Sequence, residues 1–185
     1  MPSAVSFRYA RALVDSVTGP TAAGPTRDPQ GVASQLTAFH DLFTANNDLQ
    51  ILFSTPAVTA DKKKSILAEL APAIGLESLA RNFLNVVIDH DRMQLVGEIV
   101  EAFQALLNER LGIAVAEVTT ARPLDEAEKR ELAGALSART GKQVRMNFSL
   151  DPELLGGIVA RIDSTIYDGS VRGNLQRLRA DLIGE

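Results

Sequence analysis

The sequence predicts a mainly α fold: an N-terminal six-helix bundle followed by a small α+β C-terminal domain. Three observations carry this. Apolar residues recur at spacings of three and four through residues 4–112, the period of an amphipathic helix. After Gly112 the period changes to two, the mark of a half-buried strand. Composition supports both, with 45% hydrophobic residues in 185, enough apolar side chain to build real cores rather than a disordered chain.

In the first predicted helix Val5, Tyr9, Leu13 and Val17 form a line, flanked by Ala10 and Val14. From Thr18 to Gly31 the pairs Gly19-Pro20, Gly24-Pro25 and Asp28-Pro29 interrupt helical structure and predict an exposed loop. The second helix sets Val32, Leu36, Phe39 and Phe43 on one face. A short apolar turn is expected around Leu49, Leu52 and Phe53, closed by Pro56. Thr59 then caps a helix carrying Ile66, Leu67 and Leu70, which ends near Pro72 and Gly75. Residues 76–89 hold Leu79, Phe83, Leu84, Val86, Val87 and Ile88, apolar around most of the helix. Such a helix is covered on more than one side, by the bundle or by a partner. Val96, Ile99, Phe103 and Leu106 mark a long final helix.

Residues 113–120 are β-branched and strand-like. Asp125, with Glu128 three residues on, forms a capping box, and Gly141 closes that helix. Val144, Met146, Phe148 and Leu150 alternate with polar residues in a second strand. Ile158 to Ile162 and Thr165 to Tyr167 read as a hairpin turning at Asp163-Ser164. Asp168-Gly169-Ser170 then caps a terminal helix with Val171, Leu175, Leu178 and Leu182 in one stripe. The domain boundary is placed near residues 110–113, giving domains 1–112 and 113–185.

Candidate chemistry is sparse. The absence of cysteine removes disulfides and thiolate metal sites. His90, between Asp89 and Asp91, reads as a polar helix end, and His40 as a packed or half-exposed side chain beside an apolar stripe. Gly141-Lys142 fails as a phosphate loop, because Leu136 stands where the first glycine is required and Gln143 where Ser or Thr should follow. Lys62-Lys63-Lys64, in a first helical turn where the macrodipole disfavours cations, reads as a solvated face. No catalytic, cofactor-binding or metal residues emerge. A formal charge of −4 disfavours nucleic acid as a partner. No apolar run approaches the roughly 20 residues that span a bilayer. Without a signal or transit segment, the chain is expected in a bacterial cytoplasm, with any membrane association going through a partner rather than direct insertion.

The segment Gly156-Gly157 with Ile158-Val159-Ala160-Arg161-Ile162, then Asp168-Gly169-Ser170-Val171-Arg172-Gly173, resembles the C-terminal signature of the delta subunit of the proton-translocating ATP synthase. That family is also called the oligomycin-sensitivity-conferring protein. Arg8-Tyr9-Ala10-Arg11-Ala12-Leu13, Arg81-Asn82-Phe83-Leu84 and Arg92-Met93-Gln94-Leu95 extend the resemblance over nearly the whole chain in the right order. Compared with the family, the Thr18–Gly31 loop looks like an insertion.

The resemblance implies a non-catalytic stator subunit without cofactor, one copy per complex, on the cytoplasmic side of the bacterial plasma membrane. The N-terminal bundle would grip the N-terminal helix of an alpha subunit between its first and fifth helices. By position the groove residues would be Tyr9, Ala12, Leu13, Leu79, Phe83 and Val86. The C-terminal domain would join the b subunit of the peripheral stalk, with Arg172 and Arg179 reading an acidic surface. The alternative is a small nucleotide-binding or enzymatic protein using the Gly-rich C-terminal segment.

Overall fold

The computed structural model describes residues 2–19, 28–154, 156–162, 165–173 and 175. The fold is mainly helical, with a small four-stranded sheet toward the C-terminal end. The chain divides into two compact units, Met1–Leu107 and Asn108–Glu185.

The first unit contains α1 (Ala4–Thr18), α2 (Pro29–Ala45), α3 (Asn47–Ser54), α4 (Ala60–Leu70), α5 (Ser78–Asp89) and most of α6 (Val96–Leu111), with a 3-10 turn at Met93–Leu95 before α6. Its core joins Leu13 of α1, Leu36 and Phe39 of α2, Phe53 of α3, Leu67 of α4, Leu84 of α5, and Ile99 and Phe103 of α6. The start of α1 is tied to α6. Glu98 accepts hydrogen bonds from the Ser3 N–H at 2.8 Å and the Ser6 hydroxyl at 2.9 Å. The Ser3 N–H bond, followed by the two serine hydroxyls, lowers the Glu98 pKa below the ordinary carboxylate value.

Three local expectations are corrected. The loop read as Thr18–Gly31 stops earlier, because Asp28 caps α2 by accepting the Gln30 N–H at 3.0 Å and Pro29 is the first helical residue. Proline is favoured there, where its missing N–H would have had no helical partner, so Asp28-Pro29 starts a helix instead of breaking one. Residues 20–27 lie outside the described residues. The apolar turn at Leu49–Phe53 is helix α3, whose Leu49, Leu52 and Phe53 share one face at spacings of three and four. Lys63 is not solvated. It is 3% exposed, and its ammonium donates to the Phe53 carbonyl at 2.7 Å and to Asp91 Oδ1 at 3.1 Å. Two acceptors thus compensate a buried charge that an unpaired site would not tolerate.

In the second unit β1 (Ile113–Thr120), β2 (Gln143–Leu150), β3 (Ile158–Ile162) and β4 (Thr165–Asp168) form a sheet of order β2-β1-β3-β4, with α7 (Glu126–Thr140) between β1 and β2 in the chain. β1 and β2 are parallel, joined by the α7 crossover, while β3 is antiparallel to β1 and β4 to β3. Ala116 stands opposite both Met146 and Ile162, and this face packs on Leu132 and Leu136 of α7. The Asp125–Glu128 capping box and the left-handed Gly141 (φ 67°) bound α7 as the residues predict. Glu128 also pairs with Arg122, which lowers its pKa, with the Asp125 N–H adding to the effect. β2 is more exposed than its alternation suggests, because it is an edge strand. Phe148 lies under the Lys129 ammonium, 5.6 Å from its ring centroid, and Leu150 is open to solvent.

Candidate functional site: an apolar groove between the first and fifth helices

α1 offers Arg8, Tyr9, Ala12, Leu13 and Ser16, a stripe at helical spacing. α5 offers Leu79, Phe83 and Val86. Together they line a groove of about 300 Å³. Leu13, which also belongs to the core, forms its floor, whereas Ala12 is exposed and small enough for a backbone to approach closely. Tyr9 and Phe83 meet edge to face across it, with ring centroids 6.5 Å apart, a favoured geometry for aromatic quadrupoles. Val86 remains 46% exposed.

The sequence left open what covers the second side of α5. Ala80, Leu84, Val87 and Ile88 are buried, while Leu79, Phe83 and Val86 face the groove. Tyr9, Ala12, Leu13, Leu79, Phe83 and Val86 are therefore all brought together. Arg8 and Ser16 were missed, although their spacing of four on either side of Ala12 was a usable signal. Arg8 is the charged residue of the lining, and it is exposed at the edge of an otherwise largely apolar surface.

His90 is the C-cap of α5, and His40 is half-buried against Gly97. Among the described residues no group of three His, Asp or Glu side chains could hold a metal ion. What the groove offers is shape, apolar area and one edge charge, which suit recognition of an amphipathic helix.

In the second unit the signature residues build a turn and a cap. The Gly157 backbone has φ 82°, and a Cβ there would lie 2.8 Å from the Ser170 Cα and overlap the Gly169 carbonyl. Only glycine fits. Asp168 Oδ1 accepts the Ser170 N–H at 2.8 Å, and Ser170 Oγ accepts the Gly173 N–H at 2.9 Å. A Cβ at Gly173 would overlap the Asp168 carboxylate. The Ser170 and Gly173 N–H groups, which the nucleotide alternative would offer to a phosphate, are thus already bonded to the chain's own side chains. Residues 171–173 begin a helix on which Val171 and Arg172 are exposed. Arg179, Leu178, Leu182 and the Asp163-Ser164 turn lie outside the described residues.

Fold and groove define a class, a helical unit with an open apolar groove followed in the chain by a small α+β unit. Residues 5–182 match the family model described as the ATP synthase delta (OSCP) subunit. ATP synthase subunit delta of Acidobacterium capsulatum is 38% identical over 180 residues, covering 97% of this chain and 98% of that one. The subunit delta of Koribacter versatilis is 32% identical over 180 residues, with 97% and 98% covered. In fold, the chain resembles one in the mitochondrial ATP synthase hexamer of Toxoplasma gondii, with a TM-score of 0.65, 21% identity and 98% of each chain covered. The chain belongs to the ATP synthase delta (OSCP) subunit family. A stator subunit's role fits this membership, and nothing supports the nucleotide-binding alternative. Among the described residues no helix is long and apolar enough to cross a membrane.

Proposed function

We propose that this chain is a non-catalytic stator subunit that couples rotor torque to ATP synthesis by joining the catalytic head to the peripheral stalk. Residues 1–112, the six-helix bundle of this reading, receive the N-terminal helix of an alpha subunit in the α1–α5 groove. Residues 113–185 engage the b subunit, one copy serving each complex on the cytoplasmic face of the bacterial membrane. The observation that supports the reading most is the groove itself. A helix whose apolar face filled it would cover Val86, Ala12 and the exposed edges of Tyr9 and Phe83, burying surface that the chain alone leaves wet. Arg172, with Arg179, supplies positive charge for an acidic stalk surface.

The test uses the full chain and a peptide copying the alpha subunit's N-terminal helix from the same genome. Calorimetry should show one-to-one binding that Phe83→Asp abolishes while the circular dichroism spectrum is retained. A folded Phe83→Asp chain that binds the peptide normally removes the groove from the reading. Charge reversal at Arg172 and Arg179 should weaken b-subunit binding, more at low salt, where charges are least screened, and leave peptide binding unchanged.

A further inference from the structure

Resting on the reading of the groove as a helix-docking site, we propose that Arg92 is a positioning residue for docking, holding the Tyr9 ring in its binding orientation. Arg92 lies in the turn after α5, and its placement is determined step by step from the chain. α5 ends in a Schellman arrangement: the Asp91 N–H reaches the Ile88 carbonyl at 2.9 Å and the Arg92 N–H the Val87 carbonyl at 3.0 Å. The left-handed residue of this motif is usually glycine. Here it is Asp91, with φ 52°, a conformation that costs a residue carrying a Cβ. Asp91 is held by the buried Lys63 ammonium, itself anchored to the Phe53 carbonyl at the end of α3. The turn is thus pinned from two other helices, and the next residue is aimed by it.

That residue meets Tyr9 twice. Arg92 Nη1 donates to the Tyr9 hydroxyl at 2.8 Å, and its guanidinium carbon lies 5.3 Å from the ring centroid. His90, in the same turn, sets its ring edge-on to Tyr9 at 6.3 Å, and Phe83 does so from the groove side at 6.5 Å. A half-buried tyrosine on a helix surface would otherwise sample several rotamers, and a partner would have to order it. With Arg92 in place the ring is ordered before the partner arrives, so docking bears less of that entropic cost. Guanidinium is suited to this, because it stays charged at every physiological pH and its planar fork reaches hydroxyl and ring together.

The experiment is a double-mutant cycle in the full chain, with Arg92→Met and Tyr9→Ala read by the affinity of the alpha-subunit N-terminal peptide and by melting temperature. Arg92→Met should weaken binding about three- to tenfold, the range expected for ordering one side chain. It should also average the χ1 scalar couplings of isotope-labelled Tyr9, the sign of a side chain sampling several rotamers, a signal that general loss of stability would not produce. In the Tyr9→Ala background Arg92→Met should change affinity no further. If Arg92→Met fails to fold, Arg92→Ala, which likewise removes both the donor and the charge, carries the same readouts, and native affinity in that folded variant overturns the proposal. An equal loss with and without the Tyr9 ring also overturns it, since Arg92 would then touch the partner directly. If Tyr9→Ala weakens binding and Arg92→Met does not, the groove reading stands and the positioning role falls. Native affinity in Tyr9→Ala defeats the groove reading itself.

Discussion

Leu84 and Val86 stand two residues apart on α5 and face opposite ways, so the pair separates folding from docking. Leu84 is 0% exposed and Val86 46%. Fully burying a valine side chain is worth about 1.5–3 kcal/mol. With roughly half of Val86 still in water, about 1 kcal/mol remains for a partner to gain by covering it. Val86→Ala should therefore raise the Kd for the alpha-subunit peptide about fivefold. Its stability should change by no more than about 0.5 kcal/mol, because it removes little packing and alanine is the better helix former. Leu84→Ala should do the reverse. It should cost about 2–5 kcal/mol through the lost burial and the cavity left behind, and leave peptide affinity per folded molecule unchanged. Urea denaturation followed by isothermal titration on the same samples measures both quantities. If Val86→Ala destabilised the chain as Leu84→Ala does while peptide affinity stayed native, the outer face of α5 would be core, and the division of this helix into two working sides would be wrong.

Two further outcomes follow from local contacts. Because the folded-state pKa of Glu98 is lowered by Ser3 and Ser6, its contribution is complete above the ordinary carboxylate range and is lost as pH falls through the folded value. The melting-temperature advantage of the native chain over Glu98→Gln should therefore be constant near neutrality and shrink below about pH 4, and an advantage unchanged at pH 3 would refute the contact's role. Gly157→Ala adds a Cβ against Gly169 and Ser170 at a left-handed position, so hydrogen exchange should show residues 156–173 losing at least about 2 kcal/mol of protection. Native protection there would contradict the geometry.

What could be read from the sequence was whatever neighbours in the chain determine. The capping box at Asp125, the left-handed Gly141 and the paired apolar sides of α5 depend on residues within a few positions of one another, and spacing alone reveals them. Lys63 shows where that ends. Its partners, Phe53 and Asp91, are 10 and 28 residues away, so a rule about charges at helix starts had no access to what buries it. Asp28-Pro29 is ambiguous to local rules because proline both starts and stops helices, and only the cap decides which. Strand positions were visible in the alternation, but the antiparallel pairing of β1 with β3, which sets Thr120 against Ile158 and Ala116 against Ile162, is beyond the reach of local spacing. The groove residues were named through family resemblance, with Arg8 and Ser16 overlooked because neither is apolar.

The strand order has a consequence for how the chain is made. β1 is the first strand to leave the ribosome, yet both its neighbours in the sheet, β2 and β3, come later. At a synthesis rate of about 5–20 residues per second, the stretch from Thr120 to Leu150 takes roughly 2–6 s to appear. During that interval the apolar row Ala114, Ala116 and Val118 has no β partner. The helical unit does not wait for the sheet, since its last core residue, Leu107, precedes β1. The groove is therefore complete on a nascent chain whose sheet has yet to close, which leaves the unfinished sheet as the stage most exposed to aggregation.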